Sequence, residues 1–370
     1  MTCEIQNAAV RPTRSAQLPV DHPFFIVTPP FVRTSAGITV LHLFCHYLNA
    51  TGENAFIVHY PPAADPTGVL SSRARVQLCG EFPGGMNAPL VTQDVFDFYN
   101  ERRITPIVVY PEILDNPFDV PFFARYLLNY PGLLGPHYTQ RAPFEFGYSK
   151  LLANRCSADD VLFIPTPDLD FWNSDGASPK RSGTCFYAGK LQEIFGKKPE
   201  GLPPGSVEIL RDKAMSREEI RLIFWTKAAF YCFEDTSLAT EAMLCGCPTV
   251  FVANDHFSGT PLASIETTMD GACLIDERDG LDRARQTVGN CELHILRAIA
   301  KVPTEVSRIA QALKVRARRH QFSSPFNYPF RPKLVLFDGA GSLEQPLKAE
   351  TVQQSGWARQ LLRALRGSVS

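Results

Sequence analysis

Apolar positions along the chain switch repeatedly between short continuous runs and a helical period. FFIVTPP (24–30) is a short apolar run broken by prolines and reads as a buried strand. In SAGITVLHLFCHYLNATG (35–52), Ile38, Leu41, Phe44, Cys45 and Leu48 recur at helical spacing, with Gly52 as a stop. AFIVHY (55–60) returns as a strand, completing a β-α-β unit, the building block of a parallel sheet. The pattern then predicts a helix at the end of PGGMNAPLVTQDVFDFYNER, a strand at 105–113, a helix at 120–129 closed by Pro131-Gly132, and a strand-like run at 159–168.

DLDFWNSDGASPKRSG (168–183) is polar and loop-like and marks a domain boundary. A second alternating series follows, with strands predicted at 184–190, 206–210, 228–233 and 248–253. A helix after Ser216 carries a capping box with Glu219, and another runs through Leu244. Residues 279–320 read as mainly helical and increasingly basic. No short internal repeat is present, which argues against solenoids and propellers. The division expected is a disordered tail at 1–20, one β/α/β domain at 21–168, a second at 169–340, and a tail at 341–370.

Composition narrows the class. The 370 residues are 45% hydrophobic and 20% charged with a net charge of −1, an ordinary globular balance without the basic surface that nucleic acid requires. No nucleic-acid partner is expected. The first twenty residues lack a signal-peptide core, and no apolar run reaches the roughly eighteen residues of a membrane span. Ten cysteines without a C-x-x-C pair read as reduced thiols in a cytoplasmic protein, Cys245 and Cys247 included. His42 and His46 lie one helical turn apart but show no third ligand, so no metal is expected.

The densest chemistry lies in FEDTSLATEAMLCGCPTVFV (233–252). Glu234 and Asp235 follow the carboxyl end of a predicted strand, the edge at which open α/β sheets bind ligands. Thr236 or Ser237 can cap the next helix, whose free amides and dipole favour a phosphate. Glu241 falls about one turn into that helix. The residues alone also allow a capped core helix whose carboxylates satisfy local backbone.

This segment resembles the donor-binding region of GT-B glycosyltransferases, in which a glutamate after a strand is followed by Glu-Ala-Met-x-Cys-Gly-x-Pro-Val. Here the second part reads Glu241-Ala242-Met243-Leu244-Cys245-Gly246-Cys247-Pro248-Thr249-Val250. The resemblance implies an α/β chain of GT-B type, with two Rossmann-like β/α/β domains facing a cleft and C-terminal helices. It resembles retaining bacterial polysaccharide glycosyltransferases (group 1, family 4-like), although Glu234 and Glu241 are separated by one residue fewer than in those enzymes.

By that resemblance Glu241 holds the nucleotide ribose and Glu234 or Asp235 meets the donor sugar. The amides of Thr236, Ser237 and Leu238 take the diphosphate, and Lys190 in FYAGK offsets its charge. Gly37 lets the first-domain backbone approach a ligand, and Glu112, beside Asp115, serves as an acceptor ligand or general base. Lys197, Lys198, Arg211 and Lys213 are less specific cations. The nucleotide-sugar is a co-substrate, and no further cofactor is expected.

The expected activity is transfer of a sugar from a nucleoside-diphosphate donor to a carbohydrate or lipid-linked acceptor, in bacterial surface polysaccharide synthesis. The competing readings are a sugar-nucleotide epimerase on the same fold and a non-catalytic nucleotide-sugar-binding protein. The tail SGWARQLLRALRGSVS (355–370) has leucines and arginines at helical spacing. It reads either as a helix packed back across the domains or as one lying on anionic lipid at the inner membrane.

Overall fold

A computed structural model describes residues 21–59, 85–118, 120–134, 137–210 and 215–321. The expectations for the N-terminal tail, for Arg211 and Lys213, and for the 355–370 helix lie outside the described residues. No helix among the described residues is long and apolar enough to cross a membrane.

Two parallel sheets form the frame. The first contains β1 (Phe24–Thr28), β2 (Ala55–His59), β3 (Ile107–Pro111), β4 (Phe123–Leu127), β5 (Phe144–Gly147) and β6 (Asp160–Val161), in the order β2-β1-β3-β4-β5-β6. The second contains β7 (Thr184–Tyr187), β8 (Val207–Glu208), β9 (Ala229–Cys232), β10 (Thr249–Phe251) and β11 (Ala272–Leu274), in the order β11-β10-β9-β7-β8. Two Rossmann-like units facing one cleft make this the GT-B arrangement.

Both faces of the first sheet are covered, which is why its strands read as continuous apolar runs rather than as alternations. The pleat sends Phe24 and Ile26 into one core with Val40, Phe44 and Leu48 of α1 (Ala36–Ala50). Phe25 and Val27 enter the opposite core with Tyr99 of α2 (Gln93–Glu101). Helix α3 (Lys150–Cys156) follows β5 and is capped by Ser149, whose hydroxyl accepts from the Leu152 amide.

The predicted helix at 120–129 is instead strand β4, paired in parallel with β3 and β5 and buried throughout. A short apolar run between Pro121 and Pro131 suits either state, and two flanking strands decide it. Its one charged residue, Arg125, is fully buried and spends all five N–H groups. They go to Glu145 Oε1 (2.9 Å) and to the carbonyls of Gln140, Leu114 (twice) and Asp115. The strand-like run at 159–168 pairs only at Asp160–Val161, and Pro165 and Pro167 have no amide proton with which to extend it.

In the second unit, α4 (Gly189–Glu193) begins where a longer strand was expected, so Lys190 lies in a helical turn rather than on β7. The predicted capping box of α5 (Arg217–Thr226) is present, with Ser216 and Glu219 exchanging both bonds. Next come α6 (Ser237–Leu244), the short α7 (Ser264–Thr267) and α8 (Gly280–Thr287), and then the 31-residue α9 (Cys291–Gln321).

Helix α9 joins the two units. Cys291 and Ile295 pack into the second core, whereas Val302, Val306, Ile309, Ala310, Leu313 and Ala317 pack into the first. Lys314 reinforces the crossing by pairing with Asp21 (2.7 Å) and Glu53, and Arg308 reaches Asp160. A second bridge runs through Asp168, which receives Arg33 of the first unit at 3.2 Å and Arg217 of the second at 3.1 Å.

Candidate active site

The cleft between the sheets encloses a cavity of about 820 Å³, lined from both domains. That is the size range of small-molecule and cofactor sites. It lies at the carboxyl ends of both sets of parallel strands, the edge to which this topology brings loops and helix N-termini. Six of the residues singled out in the sequence as catalytic or donor-binding meet in its second-domain or first-domain wall: Glu112, Lys190, Glu234, Asp235, Thr236 and Ser237. Gly37 lines it as well.

Strand β9 ends just before Glu234-Asp235, and the backbone then turns into α6. Thr236 is the N-cap, with extended backbone, and its hydroxyl accepts from the Leu238 amide at 3.4 Å. The first turn of α6 holds no acidic residue, and Glu234-Asp235 immediately precede its cap. Thr236, Ser237, Ala239, Thr240 and Met243 form this helix's part of the wall. Leu238 instead packs into the core beneath. Glu241 is buried at 6% exposure and does not belong to the cavity lining.

Lys190 and Glu234 form the charged centre. The Lys190 amide donates to Glu234 Oε2, and its ammonium donates to the Asp235 carbonyl at 2.6 Å and lies 3.5 Å from Glu234 Oε1. Burial raises the Glu234 carboxyl above its ordinary range, against the opposing pull of Lys190. Burial also raises Asp235, whose Oδ1 accepts the Leu262 amide at 3.1 Å. Lys190 is the one lysine or arginine among the described residues that line the cavity.

Glu112 enters from the first domain at the end of β3. It is 4% exposed, and its Oε2 accepts the Leu128 amide at 3.0 Å. Burial pushes its carboxyl up to about 7, with the amide bond and the more distant charge of Arg125 pulling the other way. Around Glu112 the first-domain wall is mostly apolar, including Val32, Leu41, Ile113, Leu128, Leu134 and Phe163. Asp115, its companion in the sequence, instead accepts the Thr139 and Gln140 amides and fastens a loop.

Several participants were not picked out from sequence. Tyr187 lines the cavity and lies over Gly189, where an added Cβ would come within 2.4 Å of the tyrosine oxygen. The glycine before Lys190 therefore leaves room for the Tyr187 ring, which a larger residue would displace. Gly37 is different: a Cβ there would meet Leu128 at an ordinary 3.6 Å, so the protein itself does not demand glycine. Asn129 and Tyr148 also reach the cavity, and their signal was hidden in segments read as a helix or left unread. Among the predicted cations, Lys197 pairs with Asp255 on the surface. His42 is buried, donates from Nδ1 to the Ile38 carbonyl, and is pushed down to about 4 by burial. No group of three or more metal-ligating side chains occurs among the described residues.

No family model matches the chain, and no curated protein matches it in sequence. Solved structures do match. The spinosyn forosaminyltransferase SpnP aligns over 80% of this chain and 99% of its own, at 12% identity and a TM-score of 0.34. CalG4, the calicheamicin glycosyltransferase, aligns over 80% and 99%, at 13% identity and a TM-score of 0.36. Phytolacca americana UGT2, complexed with UDP-2-fluoro-glucose and pterostilbene, aligns over 80% and 95%, at 10% identity and a TM-score of 0.36. At these TM-scores the likeness adds no argument to the one the two sheets and their cleft already make.

Proposed function

We propose that the protein is a glycosyltransferase that moves a sugar from a nucleoside-diphosphate donor to an acceptor hydroxyl. The carrying observation is the opposition across one cavity of two different walls. The second-domain wall offers the N-terminal end of α6 with Lys190 beside it, and the first offers a buried carboxyl, Glu112, that burial raises to about 7.

In this reading the diphosphate takes the amides of residues 236–238, and Lys190 turns from Glu234 toward the charge that grows on the leaving oxygen. The acceptor oxygen attacks the anomeric carbon, the bond to the diphosphate breaks with its electron pair, and Glu112 receives the acceptor proton. A dedicated base is what inversion of configuration needs. The resemblance in sequence implies retention, but the shortened Glu234–Glu241 spacing weakens that implication, and we infer inversion.

The apolar first-domain wall supports an acceptor carrying an apolar group, such as a lipid-linked glycan, over a free polysaccharide, whose hydroxyls would find few partners there. Synthesis of a bacterial surface glycan in the cytoplasm, with contact to the membrane through the C-terminal tail, is consistent with that acceptor. The test is incubation with UDP-, GDP- and dTDP-sugars and alkyl glycoside acceptors, with the product's anomeric configuration read by NMR. An inverted product, lost in Glu112→Gln, supports the proposal. A retained product would remove Glu112 as base, and release of an isomerised nucleotide-sugar without acceptor would make the protein an epimerase.

A further inference from the structure

One corner of the first domain buries polar groups that bond to nothing around them. Thr28, Thr39, His42 and His59 are each no more than 6% exposed. Thr28 Oγ1, Thr39 Oγ1, His42 Nε2 and His59 Nε2 have no hydrogen-bond partner among the described residues. None of the four residues lines the main cavity.

Topology brings them together. Thr28 and His59 are the last residues of β1 and β2 and are paired in register. Alternate residues of a strand share a face, so both lie on the side that sends Phe24, Ile26, Ala55 and Ile57 into the core with α1. Helix α1 starts from the same carboxyl edge and packs on both strands. Thr39 and His42, three residues apart near its start, are neighbours on its surface. His42 and His59 are near enough that charge on the first disfavours charge on the second. The Phe31 ring meets His42 edge to face, with centroids 5.3 Å apart.

Electrostatics then restrict the occupant. Burial pushes both imidazoles down to about 4, so both are neutral at pH 7. His42 donates from Nδ1 to the Ile38 carbonyl at 2.9 Å, which leaves a lone pair on Nε2. The two hydroxyls can donate or accept. No carboxylate, lysine or arginine among the described residues shifts either ring. A divalent metal is a poor match, because zinc sites take three or four protein ligands and only two neutral imidazoles are at hand. A buried polar group without a bond loses its hydration and gains nothing in return. The matching ligand is small and uncharged and bonds in both directions. Water meets all three conditions, and a buried water typically makes about three bonds to such groups.

We propose that this corner is an internal hydration site, in which ordered water bridges His42 Nε2, His59 Nε2 and the hydroxyls of Thr28 and Thr39. The water fastens the front of α1 to the ends of β1 and β2. Gly37, Ile38 and Leu41, on that same stretch of α1, line the main cavity. The hydration site therefore holds the α1 wall in place whatever that cavity binds, and it stands apart from the glycosyltransferase reading.

Two measurements test the site. Diffraction from crystals of the full chain should show a spherical peak within about 2.7–3.2 Å of His42 Nε2 and of at least one of the other three atoms. Thr28→Val exchanges a hydroxyl for a methyl, and the sign of its effect on melting reads the site. A hydroxyl bonded to water stabilises, so the variant should melt about 2–4 °C lower than the wild type. A hydroxyl buried without any bond is better replaced, and the variant would then melt higher. No peak at these atoms, an anomalous signal marking a metal in place of water, or a midpoint equal to or above that of the wild type overturns the proposal.

Discussion

Arg125–Glu145 and Lys190–Glu234 are both cation–glutamate pairs, one in each domain, yet they do opposite jobs. The first is sealed, with side-chain exposures of 0% and 1%, every guanidinium proton is spent, and the cation lies over the Tyr138 ring at 3.7 Å. The second opens on the cavity, with Lys190 23% exposed. A pair with no spare donor and no route to solvent can only hold structure, and here it pins the Leu114–Asp115 loop just beyond Glu112. A pair whose ammonium faces a cavity can exchange one anion for another, which a diphosphate site requires. Burial and unspent valence, rather than residue type, separate scaffold from site.

That contrast can be broken at either end. The largest expected effect is on the sealed pair. Arg125→Met removes the buried partner of Glu145, leaving that carboxylate only the half-exposed Arg141 at 3.4 Å as counter-charge, and should cost about 3–5 kcal/mol in urea unfolding. The double variant Arg125→Met/Glu145→Met should recover part of that loss. If the single variant is as stable as the wild type, the buried network is not what holds the Glu112 loop.

Next in size is Glu112→Gln, which should lower turnover by about 10²–10⁴-fold, the range for losing a general base. The activity of the wild type should rise as pH passes through about 7, where the folded carboxyl ionises, and the variant should lack that limb. Stability should move the other way. The unfolded carboxyl ionises near its ordinary 4.5 and the folded one near 7. In between the native state holds more protons, so stability falls as pH rises through that window. Glu112→Gln should therefore be more stable than the wild type at pH 8, by up to about 3 kcal/mol, and not at pH 4. Melting curves at the two pH values read the sign directly.

Lys190→Met should reduce turnover by about 10²-fold with a smaller effect on melting than Arg125→Met, because the remaining carboxylate can reach water or take up a proton. Equal destabilisation by both would erase the distinction between the pairs. The smallest effect belongs to Gly37→Ala. Since its Cβ meets only an ordinary contact, stability should stay within about 0.5 kcal/mol, and any loss of donor affinity then reports ligand contact alone.

Local signals in the sequence reached the second domain's part of the cavity wall. AAFYCF and DTSLATEAML carry their strand, turn and cap in consecutive residues, so Glu234, Asp235, Thr236 and Ser237 were legible, and Lys190 followed from a strand-end pattern. Residues whose role depends on distant partners were not. Arg125 inside VPFFARYLLN looks like a helix-face cation until Glu145, twenty residues on, supplies its counter-charge. The stretch reads as a helix for the same reason: only pairing with β3 and β5 makes it a strand. Glu241 shows the reverse limit. Its motif is local and plain, but helix phase and tertiary packing leave it buried outside the cavity lining. Nor does periodicity reveal that α9 begins in one core and ends in the other.

The central claim is that the Lys190 pair opens to accept a diphosphate at the N-terminus of α6. Calorimetric titration of UDP, GDP and dTDP into the wild type and Lys190→Met at constant pH tests it most directly. Saturable binding of at least one nucleotide, weakened about tenfold or more in the variant, is the expected result. No binding by any of the three, or the same affinity in both proteins, would contradict it.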